Sequence, residues 1–98
     1  MNIKKGDILN LNESNTKVLV ISNDKRNKYS EWIYGLYTKS DTISQIPTSV
    51  LYNVQLINKS DLKEKVGEVT KQTLIEIDKK LKTEANELNN KPYLCFTI

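Results

Sequence analysis

Histidine is missing from this chain of 98 residues, and cysteine, tryptophan and arginine occur once each. The missing imidazole removes the commonest general acid and base at neutral pH and the commonest metal ligand. One thiol excludes zinc clusters and intramolecular disulfides. Cys95 sits in the apolar run YLCFTI, where a small buried thiol is the commoner fate than a nucleophile, because nothing near it in sequence would lower its pKa. Its presence fits a reducing cytosol. Only three glycines occur, scattered at Gly6, Gly35 and Gly67, which excludes a phosphate-cradling glycine loop. The N-terminus lacks the apolar core of a signal peptide and no apolar run approaches ~20 residues, so export and membrane spanning are not expected.

What is present describes one small, polar domain over residues 1–98, since a second hydrophobic core is hard to fill at this length. The apolar fraction is 38% against 28% charged residues, so burial is marginal and oligomerisation would help. The formal net charge of +3 is spread over both halves of the chain without a basic arm. Such a balance is compatible with nucleic acid but is not the concentrated patch of a strong binder.

Along the chain, GDILNLN alternates Leu9 and Leu11 against Asn10 and Asn12 and reads as a strand with one wet face. Thr16 to Ser22, TKVLVIS, is apolar and β-branched enough to be a central strand buried on both faces. Asn23 to Ser30 reads as a polar bend. Glu31 to Thr38, EWIYGLYT, is an aromatic strand in which Gly35 marks a bulge or a close backbone approach. IPTSVLYNVQLI supplies a long strand or two short ones, with Pro47 at its start or on an edge. SDLKEKVG reads as a single helical turn capped by Ser60 and ended at Gly67.

The long helix is the clearest local signal. Thr70 suits the N-cap, Val69 can staple to Leu74, and Leu74, Ile77, Leu81, Ala85 and Leu88 recur at helical spacing. One apolar stripe needs one sheet to cover. YLCFTI then returns as a last strand that either completes the sheet or pairs as an edge with a second chain. The expected architecture is α+β: a curved, mostly antiparallel sheet or small barrel with a helix across it.

The bend offers Lys25, Arg26 and Lys28, followed by Tyr29, Trp32, Tyr34 and Tyr37. Basic and aromatic groups in alternation hold single-stranded nucleic acid by phosphate pairing and base stacking. The same residues also fit a solvated turn leading into a strand with buried aromatics, which is the commoner fate of strand aromatics.

Taken in order, Gly6-Asp7-Ile8, VLVISNDKRN (Val18 to Asn27), EWIYGLYT (Glu31 to Thr38) and INKSDLKEKVGEVTKQTLIEIDKKLK (Ile57 to Lys82) resemble the MazF/PemK family of toxins. The likeness covers most of the chain except roughly the last ten residues. It implies a small SH3-like barrel with a C-terminal helix, to which YLCFTI adds a terminal strand the family usually lacks. It further implies a homodimer, metal-independent cleavage of single-stranded RNA without cofactors, and a protein antitoxin as partner. The family's chemistry uses an Arg, in an Arg-Pro pair before the buried strand, together with a Ser or Thr ending the next strand. The latter matches Thr38, whereas Thr16-Lys17 occupies the Arg-Pro position. A lysine ammonium is a mobile point charge where a guanidinium grips phosphate with two parallel bonds, so Lys17 implies weakened or lost catalysis unless Arg26 reaches in.

Three functions remain open at this level. The first is a cytoplasmic endoribonuclease toxin using Thr38 and Lys17. The second is a non-catalytic phage or mobile-element inhibitor that binds a nucleic-acid enzyme or another host protein. The third is a regulator that binds nucleic acid without cutting it.

Overall fold

The computed structural model describes residues 2–12, 14–43 and 46–89. Five antiparallel strands, β1 (Asp7–Leu11), β2 (Lys17–Val20), β3 (Trp32–Thr38), β4 (Val54–Asn58) and β5 (Leu62–Glu68), form one sheet in the order β4-β3-β2-β1-β5. Helix α1 (Asp24–Tyr29) links β2 to β3, and helix α2 (Lys71–Asn89) follows β5. The expected α+β architecture with its C-terminal helix is therefore present, and the expected last strand at 93–98 lies outside the described residues. No helix of the described residues is long and apolar enough to cross a membrane.

The β-branched run TKVLVIS becomes the middle strand of the five, and its side chains divide between two cores as a period of two requires. Val18 and Val20 pack with Leu9, Ile33, Ile57 and Leu62 on one face. On the other, Leu19 and Ile21 pack with Ile8, Leu36, Val50 and Ile77. Ile77 lies on the predicted stripe of α2 and is fully buried, which seats the helix on that face. Full burial of such a side chain contributes about 1.5–3 kcal/mol. Thr70 caps α2 as expected, its hydroxyl accepting from Thr73 N at 3.2 Å.

A flat sheet of five strands would hold its outer strands about 19 Å apart. Yet β4 joins β5 through Lys59–Asp61 alone, a 3-10 turn, and four Cα steps reach at most about 14 Å. The sheet must curl until its edges approach. Two hydrogen bonds pin the turn across the opening: Lys59 N donates to Glu31 O at 2.8 Å and Asn12 N donates to Asp61 O at 2.7 Å. Register shifts in the β1–β5 ladder, between Ile8 and Leu9 and again between Leu9 and Leu11, add the local twist that this curl demands.

Gly35 is a close approach rather than a bulge. A Cβ there would overlap Val18 Cγ1, with Ile57 Cδ1 3.2 Å away, so the strand can lie in the core only without a side chain.

Three local expectations are corrected. Residues 62–68 form an edge strand and not a helical turn, because Leu62, Lys65, Gly67 and Glu68 find partners on β1. The cap of the preceding turn is Asn58, whose side chain accepts from Ser60 N, and not Ser60. Between Pro47 and Asn58 only Val54–Asn58 is strand, preceded by a 3-10 turn at Leu51–Asn53. That turn is held from outside, since Val50 N and Leu51 N donate to the Glu84 carboxylate of α2 at 3.2 and 2.7 Å. In β1, Leu9 is buried as alternation requires, but Asp7 and Ile8 are buried as well, so the start of the strand is covered on both faces.

Candidate functional site

The β2–β3 register sets Lys17 directly opposite Thr38. Directly opposed residues of an antiparallel pair project on the same face with Cβ atoms about 5 Å apart. Both are half-buried, at the end of the sheet where β3 runs out into the 39–43 loop. Thr38 Oγ1 accepts from Ser40 N at 3.3 Å and donates to Ser40 O at 3.5 Å, a local turn that fixes the hydroxyl at the rim. A small cavity of about 200 Å³ opens beside it, lined by Thr38, Lys39, Ser40 and Thr42 among others. The two residues singled out for phosphate chemistry are thus neighbours.

Asn23 to Ser30 is not a bend. Asn23 caps a helix of six residues, its Oδ1 accepting from Arg26 N at 2.8 Å, and the cap carbonyl accepts from Asn27 N at 3.0 Å. The fully buried Asn27 ties this helix to the sheet. Its Nδ2 donates to Ser22 O at 2.9 Å, its Oδ1 accepts from Ser22 Oγ, and that hydroxyl accepts from Tyr34 N at 3.2 Å. Every polar atom of this small network is matched, which is what makes its burial tolerable.

Helix α1 carries Lys25 and Lys28 into solvent. Tyr29 is 74% exposed and Trp32 45%, so neither belongs to the core. Lys28 Nζ lies 5.3 Å from the Tyr29 ring centre. Arg26 folds back instead: its guanidinium lies 4.8 Å over the Tyr34 ring and Nη1 donates to Trp32 O at 3.5 Å. Tyr34 is four residues from Thr38 along β3, or about 13 Å. The structure therefore separates the predicted residues into two groups. Lys17 and Thr38 stand at one end of β3, and Lys25, Arg26, Lys28, Tyr29 and Trp32 stand at the other.

A feature that sequence reading missed lies between these ends. A groove of about 310 Å³ runs from Trp32 to Tyr37, with Leu11, Leu56 and Ile57 in its floor and Asn12, Ser14, Asn58 and Asp61 in its wall. Tyr37 is 53% exposed. Alternation along EWIYGLYT marks it as facing away from Thr38, but only the curl of the sheet shows that this direction is a groove and not a core.

Among the described residues two titratable groups are displaced, both on β5. The Glu64 carboxyl is held below its ordinary value, first by a backbone hydrogen bond and then by the Asn10 amide. The Lys65 ammonium is held above its ordinary value, first by hydrogen bonding to Asp7 and then to Glu68. Neither residue lines the groove or the cavity beside Thr38. Among the described residues no three His, Cys, Asp or Glu side chains gather as metal ligands would.

No family model and no curated protein matches the chain. Solved structures do. An endoribonuclease in complex with its cognate antitoxin, from a mycobacterial species, superposes with a TM-score of 0.65 at 22% identity, covering 84% of this chain and 91% of that one. An endoribonuclease from a mycobacterial species gives the same score and identity over 85% and 90% of the two chains. At that identity the likeness is one of fold. The class defined here is a curled five-stranded antiparallel sheet with a C-terminal helix, shared with these endoribonucleases.

Proposed function

We propose that this chain is a toxin-type endoribonuclease of the MazF/PemK kind that engages single-stranded RNA, with turnover limited by the lysine at its phosphate site. The observation that carries the reading is the cross-strand pairing of Lys17 with Thr38 at the open end of a sheet shared with endoribonucleases. In this reading the ammonium of Lys17 stabilises charge that develops on the phosphoryl oxygens, and the Thr38 hydroxyl gives up its long 3.5 Å bond to Ser40 O to donate to the same group. Proton transfer falls to lysine, tyrosine or carboxylate side chains, because the chain has no imidazole. The reading includes an antitoxin as protein partner, by likeness to the solved complex, and takes a homodimer and a cytoplasmic setting from the family resemblance alone.

The test is incubation of the purified protein with a long single-stranded RNA in the presence of a chelator. Slow cleavage at a restricted set of sites is expected. Thr38→Ala should abolish it, and Lys17→Arg should speed it by roughly tenfold or more, since a bidentate charged grip replaces a point charge. RNA left intact by both the wild type and Lys17→Arg over a wide concentration range would remove this reading.

One observation favours a second reading. The chain's single arginine is committed to Tyr34 and Trp32 and does not stand beside Thr38. That arrangement fits a non-catalytic inhibitor of phage or mobile-element origin that binds a nucleic-acid enzyme or other host protein. Uncut RNA together with a stoichiometric protein recovered from a host lysate would favour it.

A further inference from the structure

The groove between Trp32 and Tyr37 has a composition that selects its occupant. It holds two half-exposed aromatic rings at the ends of one strand, about 17 Å apart along the backbone. Exposed rings of this kind supply faces on which unpaired bases stack. Its floor is apolar and its wall is polar, built from the β1–β2 turn and the β4–β5 turn, which the Asn12–Asp61 hydrogen bond locks together. Asn12 takes a left-handed backbone, φ 47°, to make that bond.

The hydrogen-bonding sense of the wall follows from what its atoms already do. Ser14 Oγ accepts from Thr16 N at 2.8 Å, which leaves its proton to donate. Asn58 Oδ1 accepts from Ser60 N at 2.9 Å, which leaves its Nδ2 group to donate. Among the described residues Asp61 is the one charged group of the lining, and it enters no ion pair. Beside the Asn12 amide, which can donate or accept, the wall thus offers two donors, from Ser14 and Asn58, and a carboxylate that accepts through two oxygens.

Guanine complements that set. Its Watson–Crick edge presents two adjacent donors, N1–H and the 2-amino group, beside the O6 acceptor. Adenine and cytosine set one amino group beside a ring nitrogen that would face the second carboxylate oxygen lone pair to lone pair. Uracil offers one N–H between two carbonyls. Among the described residues no cation lines the groove, which leaves phosphates outside it and a base within.

We infer that this groove is a guanine-selective base site for single-stranded RNA, with Trp32 and Tyr37 as stacking surfaces and Asp61 as the reader of the base edge. The inference rests on the reading that the chain engages single-stranded RNA. It adds a specificity site apart from the Lys17–Thr38 pair, reached by Tyr37 from the face of β3 turned away from Thr38 and by Trp32 from the start of the strand.

Trp32 is the only tryptophan, so its fluorescence reports on the groove directly. The experiment titrates the protein with uridine hexamers, 2′-O-methylated throughout to prevent cleavage, that carry one central guanine, adenine, cytosine or hypoxanthine, and separately with guanosine. The guanine hexamer should quench Trp32 and bind roughly tenfold tighter than the adenine hexamer, with hypoxanthine between them. Asp61→Asn should bring guanine down to the level of adenine, and Tyr37→Ala should weaken every hexamer. Equal affinity for all four hexamers, or a guanine preference that survives Asp61→Asn, overturns the inference. So does a groove that answers only to a protein and to no hexamer or guanosine. RNA cleavage that continues without any guanine preference would sink the base site and leave the nuclease reading standing. Guanosine binding by a protein that cuts no RNA would do the reverse.

Discussion

Replacing Asn27 by alanine tests the tie between α1 and the sheet. The side chain is 1% exposed and bonds Ser22 twice, through the carbonyl and through the hydroxyl. Removing it strands the buried Ser22 carbonyl without its donor, a loss of about 1–3 kcal/mol. It also frees the hydroxyl of one partner and leaves space in a packed interior, which raises the expected total to roughly 2–4 kcal/mol. In a domain of this length each kcal/mol lowers the melting temperature by about 4–8 °C, so a fall on the order of 10–25 °C is expected. Urea unfolding followed by far-ultraviolet circular dichroism measures the free energy directly. Ser22→Ala and the double variant complete a cycle in which the coupling should exceed about 0.5 kcal/mol. The reasoning fails if Asn27→Ala costs less than about 0.5 kcal/mol, or if the two losses simply add.

Gly35→Ala should destabilise by about 1–3 kcal/mol through overlap with Val18 Cγ1, and it should cost less when introduced into a Val18→Ala background, as urea titrations of the double-mutant cycle would show. A single variant as stable as the wild type would show that the contact yields cheaply. The pH dependence of Lys65 has a definite sign. Its folded pKa lies above the ordinary lysine value because of Asp7 first and Glu68 second, so its contribution is complete below that value and is lost as pH rises through the folded one. The stability advantage of wild type over Lys65→Gln should therefore shrink on the alkaline side. It should be small at any pH, since the side chain is 47% exposed. An advantage unchanged across the alkaline range would refute the assignment.

The features legible in the sequence were those written in local periodicity. The β-branched run at Thr16 to Ser22 announced a strand covered on both sides, and Val18 to Ile21 divide between the two cores as expected. Thr70 and the stripe through Ile77 announced α2. Helix α1 escaped because six residues span less than two turns, too few for an apolar stripe, and because its anchor Asn27 is matched by Ser22, just past the end of β2, rather than by its own backbone. β5 escaped because LKEKVGE has the charge of a solvated turn, and its partners on β1 lie far away in sequence. Lys17 and Thr38 were each marked by resemblance, and the register sets them side by side. The groove escaped for the same reason as β5, since its wall is drawn from two turns that meet only across the curled sheet.

The short link between the two outermost strands also orders events in time. β1 through β4 pair with sequence neighbours, whereas β5 must return to β1 from the other end of the sheet, a long-range closure that pairs the slowest parts of the chain. Until that seam zips, the turn at Lys59–Asp61 has no Asn12 to hold and the Trp32–Tyr37 trough has only one bank. A ligand seated there would recognise the finished protein alone, and by mass action would draw late folding intermediates toward it.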